Sequence, residues 1–103
     1  MYIVILITAK DAGEATKIAE ALVKKKLIAC ANIIKGVKSF FRWEGKVDKA
    51  NEVLLVLKTK RSLFKEVEKT VKALHSYSVP EIIALPIVDG SKDYLKWVSD
   101  VTR

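Results

Sequence analysis

Glu52-Val53-Leu54-Leu55-Val56-Leu57-Lys58-Thr59-Lys60 sets five uninterrupted apolar residues between charged ends. A short apolar run of this kind, rich in branched residues, reads as a strand. Because it does not alternate, it reads as a strand buried on both faces. Tyr2–Thr8 and Leu27–Ile34 are built the same way. A sheet of such strands needs cover on both sides.

Working outward, the segment between the first two strands has helical spacing. Asp11 is placed as its cap, and Glu14 follows three residues later as in a capping box. Ala12, Ala15, Ile18, Ala19, Leu22 and Val23 form its apolar stripe, ending near Lys26. Leu27–Ile34 leads into Val37–Trp43, together a long strand with Gly36 at a bend or bulge. Glu44–Asn51 reads as the hairpin connection back to Glu52. Ser62 is placed as the cap of a second helix, whose face is Leu63, Phe64, Val67, Val71 and Leu74. Glu81–Val88 reads as a fourth strand, and Pro86 assigns it to a sheet edge, since proline has no N–H for the ladder. Ser91–Val101 reads as a last helix with Tyr94, Trp97, Val98 and Val101 on one side.

The order β-α-β-β-α-β-α predicts an α+β fold. Its first six elements make a ferredoxin-like βαββαβ sandwich on an antiparallel sheet, with an extra C-terminal helix. Two helices cover one sheet face. The other would be a bare apolar patch, so copies of the chain are the expected cover. At 103 residues the chain is expected to form one domain spanning 1–103.

Half the residues are hydrophobic, which excludes a disordered chain. No apolar run reaches the length of a membrane span, and Met1 leads directly into a strand pattern without a basic n-region. A cytoplasmic protein with no membrane partner is expected, in keeping with a lone cysteine, Cys30. The net charge of +7 comes from dispersed lysines and reads as a solvated surface. An RNA-binding domain of the RRM kind shares this element order, but stacks bases on aromatic residues in its sheet. Val53–Leu57 has no aromatic, so nucleic acid is not expected as a partner.

Few residues can carry chemistry. His75 is the only histidine, at the end of the second helix: either a metal ligand or proton carrier, or a cap for the last helical carbonyls. Cys30, among small residues, is a core hydrophobe or a soft ligand. Lys58 ends the central run and either snorkels out or points an ammonium into a cleft. Trp43, Glu44 and Lys46 form the hairpin corner. Tyr77 and Glu81 flank Pro80. A carboxylate, a phenol, a histidine and a lysine are expected to meet at one end of the sheet as a polar pocket. No nucleophile–base spacing or glycine-rich phosphate loop is present, so no enzyme is expected.

In these residues the chain resembles the CutA family of divalent-cation tolerance proteins. The shared segments are Leu27–Ile33, Trp43–Val47, Glu52 with Leu57-Lys58-Thr59, His75–Ile82 and Tyr94–Trp97. They run through almost the whole chain, in order. The resemblance implies a tight homotrimer, which would cover the second sheet face, and a role in tolerance of copper and other divalent cations. It implies pockets between subunits, approached by Cys30, Trp43, Glu44, Lys58, Tyr77 and Glu81, with His75 as the metal ligand. The family usually has proline where Ser76 stands, which predicts a less constrained backbone after His75. The family's copper-associated first-strand cysteine and doubled histidine are absent: Ile7 or a neighbour, and Leu74, stand there. The alternative is a trimeric signalling or scaffold module that takes a small anionic ligand in inter-subunit clefts through Lys58.

Overall fold

The computed structural model describes residues 1–103. The elements are β1 (Tyr2–Ala9), α1 (Ala12–Lys24), β2 (Cys30–Trp43), β3 (Lys46–Lys60), a 3-10 turn (Arg61–Leu63), α2 (Phe64–Leu74), β4 (Ile82–Pro86) and α3 (Lys92–Val101). All four strands pair antiparallel in the order β2-β3-β1-β4. This is the arrangement of a split β-α-β unit, and β4, with Pro86, is an edge as the sequence predicts.

Side chains alternate along each strand. Ile3, Ile5 and Ile7 of β1 and Val53, Leu55 and Leu57 of β3 point toward the helices, where Ala15, Ile18 and Leu22 of α1 and Val67 and Val71 of α2 meet them. These side chains are almost wholly withdrawn from solvent. Each full burial of such a residue is worth about 1.5–3 kcal/mol, so this layer carries the stability of the fold.

The opposite sheet face is not covered in the same way. Val4, Leu6, Leu54 and Val56 are only half-buried, and Ile83 and Leu85 are 48% and 49% exposed. Within one chain the strands are therefore buried on one face and open on the other. In α3, Val98 is buried, but Tyr94, Trp97 and Val101 of the same stripe stay exposed.

Several boundaries differ from the sequence reading. Lys46–Asn51 is strand, and the connection is only Glu44-Gly45, both with positive φ (49° and 76°). That is the backbone of a two-residue type I′ turn. Its charged residues read as loop because a two-stranded ribbon leaves both faces in water. Leu27 and Ile28 are buried ahead of β2, not in it: Ala29 N donates to Lys58 O (2.9 Å) and Thr59 Oγ1 to Leu27 O (2.6 Å). Ser62 lies within the 3-10 turn, and no side chain caps α2.

One irregularity matters most for the site. Ile34 pairs with Leu54, but the next pair is Val37 with Glu52. Three steps on β2 thus match two on β3, a bulge with one extra residue, and Gly36 holds φ +82° there. The bulge inverts the parity of β2. Beyond it, Phe41 and Trp43 share a face with Asp48, Ala50 and Glu52, while Phe40, Arg42 and Lys49 turn to the other side.

Candidate functional site

The site is assembled where α1 begins, α2 ends and the hairpin arm leaves the sheet. Asp11 caps α1 by accepting from Glu14 N (2.8 Å). The capping box is only half made, because the Glu14 carboxylate turns away from the helix start. Glu14 Oε1 accepts from Ser76 N (2.6 Å), and Oε2 accepts from Ser76 Oγ (2.9 Å). The backbone after His75 is therefore held by two charge-assisted hydrogen bonds, where the replacement of proline by Ser76 had predicted a looser chain.

His75 follows α2 with extended backbone, its N–H donating to Val71 O (2.8 Å). The side chain is 0% exposed. Nε2 lies 2.7 Å from Thr8 O, and a carbonyl only accepts, so Nε2 carries the proton. Nδ1 accepts from Tyr77 N (3.1 Å) and faces Glu14 Oε1 at 3.3 Å. The imidazole ties α2 to β1 and holds the next loop, and does not cap its own helix. Both ring nitrogens are in use, so a metal ion would have to displace one of these bonds.

Tyr77 packs its ring against His75, with centroids 4.8 Å apart. Its hydroxyl donates to Glu52 Oε2 (2.7 Å). Burial first, and then the Glu52 hydrogen bond and charge, push the phenol up to about 12, so it stays a donor. Between this loop and the hairpin arm lies an open cavity of about 710 Å³, lined by Phe41, Trp43, Asp48, Glu52, Tyr77 and Glu81 among others. Glu44 sits at the hairpin tip, outside that lining.

Lys58 and Cys30 lie elsewhere. They face each other across β2 and β3. Lys58 Nζ approaches Cys30 Sγ (3.7 Å) and Asn32 Oδ1. The Tyr94 phenol is raised by burial and then by Cys30. Six residue steps along β3 separate Lys58 from Glu52, about 20 Å. The pocket expected from the sequence is thus two groups within one chain. Tyr77 and His75 meet carboxylates, but those are Glu52 and Glu14, and Lys58 belongs to the far group. Sequence reasoning missed Glu14 as a clamp and Asn32 and Tyr94 as neighbours of Cys30. An acid inside an apolar pattern was the one available signal, at Glu14 and again at Glu52. No three His, Cys, Asp or Glu side chains converge to hold an ion within one chain. No helix is long and apolar enough to cross a membrane.

A family model described as CutA1 divalent ion tolerance protein matches residues 3–101. The divalent-cation tolerance protein CutA of Archaeoglobus fulgidus is 47% identical over 103 residues, covering all of both chains. The chloroplastic protein CutA of Arabidopsis thaliana is 45% identical over 98% of this chain, which spans only 56% of that relative's length. The solved divalent cation tolerance protein (Cut A1) of Thermus thermophilus superposes with a TM-score of 0.98 at 46% identity, each chain fully covered. The four-stranded antiparallel sheet with three helices is thus the structure of known relatives. The chain belongs to the CutA1 divalent ion tolerance family.

Proposed function

We propose that this chain works as a homotrimeric divalent-cation tolerance protein, taking copper or another divalent cation at clefts completed between copies. The observation that carries the reading is the open sheet face: Val4, Leu6, Leu54, Val56, Ile83 and Leu85 form an apolar surface that the chain's own helices leave uncovered. Such a surface is expected at an interface, and symmetric association of identical copies is the commonest way to bury one. The names of the relatives support the cation role. The two groups, Cys30 with Lys58 and Trp43 with Tyr77 and Glu81, border this face, and Glu44 stands at the arm that extends from it. Contact between the groups would come from neighbouring subunits. His75 would join a metal site only by releasing Thr8 or Tyr77. A cytoplasmic setting is part of the same reading.

The test is a copper(II) titration against a competing chelator, with mass in solution recorded throughout and His75→Ala and Cys30→Ser in parallel. A mass three times the 11.5 kDa of one chain, with saturable binding at a fixed number of ions per trimer, is the expected result. Binding no stronger than that of a generic basic protein would reject the direct metal role. One observation favours a second reading, a signalling or scaffold module with a small anionic ligand: the Lys58 ammonium meets Cys30 and Asn32 but no carboxylate. Displacement of bound metal by phosphate would favour it.

A further inference from the structure

The bulge at Gly36 sorts the charges of the hairpin arm between its two faces. The inner face, continuous with the open sheet face, holds Phe41, Trp43, Lys46, Asp48 and Glu52. The outer face holds Lys38, Phe40 and Arg42 of β2, paired with Asn51, Lys49 and Val47 of β3. All six are exposed, Phe40 by 71% and Val47 by 69%. The outer face thus has three cations and no acid. Lys49 is a diagonal neighbour of both Lys38 and Arg42, at about 7–8 Å, within reach of long side chains. Arg42 and Lys49 also reach the rim of the larger cavity, yet none of the three cations comes within ion-pair distance of a carboxylate there or of Glu44 at the turn. A hollow of about 490 Å³ adjoins this face, lined by Lys38, Phe40, Lys49 and Asn51 together with Ser39 and Ala50. Val53 and Leu55, at the same parity of β3 as Lys49, point toward the helices. The outer face therefore looks to the helix side, and an assembly that buries the open sheet face leaves it in solvent.

We propose that the outer face of the arm binds single-stranded nucleic acid, an activity separate from the cation role. Cations that track a backbone, with an aromatic ring on which a base stacks, are the two parts of such a surface. Lys38, Arg42 and Lys49 meet phosphates, Phe40 between them takes the base, and the Asn51 amide has both a donor and an acceptor for its edge. The lack of aromatics in Val53–Leu57 excludes the RRM manner of binding, in which bases spread over the sheet, and has no bearing on the arm. A duplex keeps its base faces stacked on one another and gains nothing from Phe40. A bilayer surface cannot enter the hollow beside Phe40, whereas an unstacked base can.

The experiment titrates the full chain, as assembled, into fluorescein-labelled oligothymidylate and follows anisotropy over a salt series. Binding tighter than about 10⁻⁵ M at low salt is expected, with a log–log salt slope near about −2, because each single-strand phosphate contact contributes about −0.7. The double variant Lys38→Gln/Lys49→Gln should reduce that slope to about −0.7. Phe40→Ala should weaken binding about tenfold while leaving the slope unchanged. Phe40→Leu, which keeps apolar bulk without a ring face, should bind as Phe40→Ala does, and this separates stacking from a folding loss. Lys24→Gln/Lys25→Gln/Lys26→Gln removes three charges at the far end of α1 and should leave binding nearly unchanged at physiological salt, where distant charges are screened. No binding at low salt, equal losses in the two lysine variants, indifference to Phe40→Ala, or equal affinity for a duplex of the same length overturns the proposal. Displacement of the oligonucleotide by phosphatidylserine vesicles but not by unlabelled oligothymidylate also overturns it and assigns the face to a bilayer.

Discussion

The Glu14–Ser76 clamp gives a graded prediction. Glu14 accepts two hydrogen bonds from Ser76, at 2.6 and 2.9 Å, and is itself buried. Hydrogen bonds to a charged acceptor contribute about 1.5–3 kcal/mol each. Ser76 is exposed, so water replaces part of what it loses and the low end applies. Ser76→Ala removes only the hydroxyl bond and is expected to cost about 1 kcal/mol. Glu14→Ala removes both bonds and leaves the Ser76 N–H without its acceptor, for a cost of about 3 kcal/mol. Once Glu14 is gone the Ser76 hydroxyl has no acceptor, so the double variant should cost no more than Glu14→Ala, a coupling of about 1 kcal/mol. Urea unfolding at one fixed protein concentration measures this, because assembly makes apparent stability concentration-dependent. Equal losses in the two single variants, or a Glu14→Ala loss under about 0.5 kcal/mol, would show that the clamp does not hold the loop.

Two further results are expected. Val56→Asp places a charge on the open sheet face, where the single chain leaves the residue half-buried. The variant should stay folded but fall to the 11.5 kDa of one chain in sedimentation, and persistence of the assembly would refute burial of that face. Tyr77 is held up to about 12 from 10.0 in the folded state. Its stabilisation is fully present below pH 10 and declines as pH rises toward 12. The stability advantage over Tyr77→Phe should therefore be flat in neutral solution and shrink through that window. An advantage that fades below pH 9 would mean that another group is titrating.

The sheet, its order and the two large helices were legible because they follow single periodicities. Ile3, Ile5 and Ile7 against Ile18 and Leu22 is a pattern that few folds satisfy. The arm was not legible, since Lys46, Asp48 and Ala50 fall on one face and Val47 and Lys49 on the other, so both faces mix charged and apolar residues and no alternation separates the stretch from a loop. Gly36 marked the bulge, but its consequence, that Phe41 and Trp43 join Glu52, follows only from counting register on both strands. Glu14 was masked by a sufficient local explanation, the capping box. Lys58 was misplaced because Glu52–Lys60 was read as one element with one end. A strand of that length has its termini at opposite sides of the sheet, and α2 carries the chain back to the Glu52 side.

The polar groups sort by whether the fold has already committed them. Both nitrogens of His75, both oxygens of Glu14 and the hydroxyl of Tyr77 are bound internally. Left over around the cavity are Arg42, Lys49, Glu81 and one oxygen each of Asp48 and Glu52, while Lys58 at the far end meets only the Cys30 and Asn32 side chains. Even-numbered β3 residues line this face as Glu52, Leu54, Val56 and Lys58: an anion, two apolar residues and a cation. Its centre has the composition of an interface and its ends carry uncommitted charge. In the trimer proposed here, a ligand at either end would sit at the seam between copies. Any ligand that binds only the assembled seam must in turn tighten assembly, because the linkage is reciprocal. At a hundred times its dissociation constant it would contribute about 2.7 kcal/mol per site, raising the assembly constant about a hundredfold for each site filled. Cation binding and oligomer stability are then one equilibrium, and dilution series with and without the cation measure both.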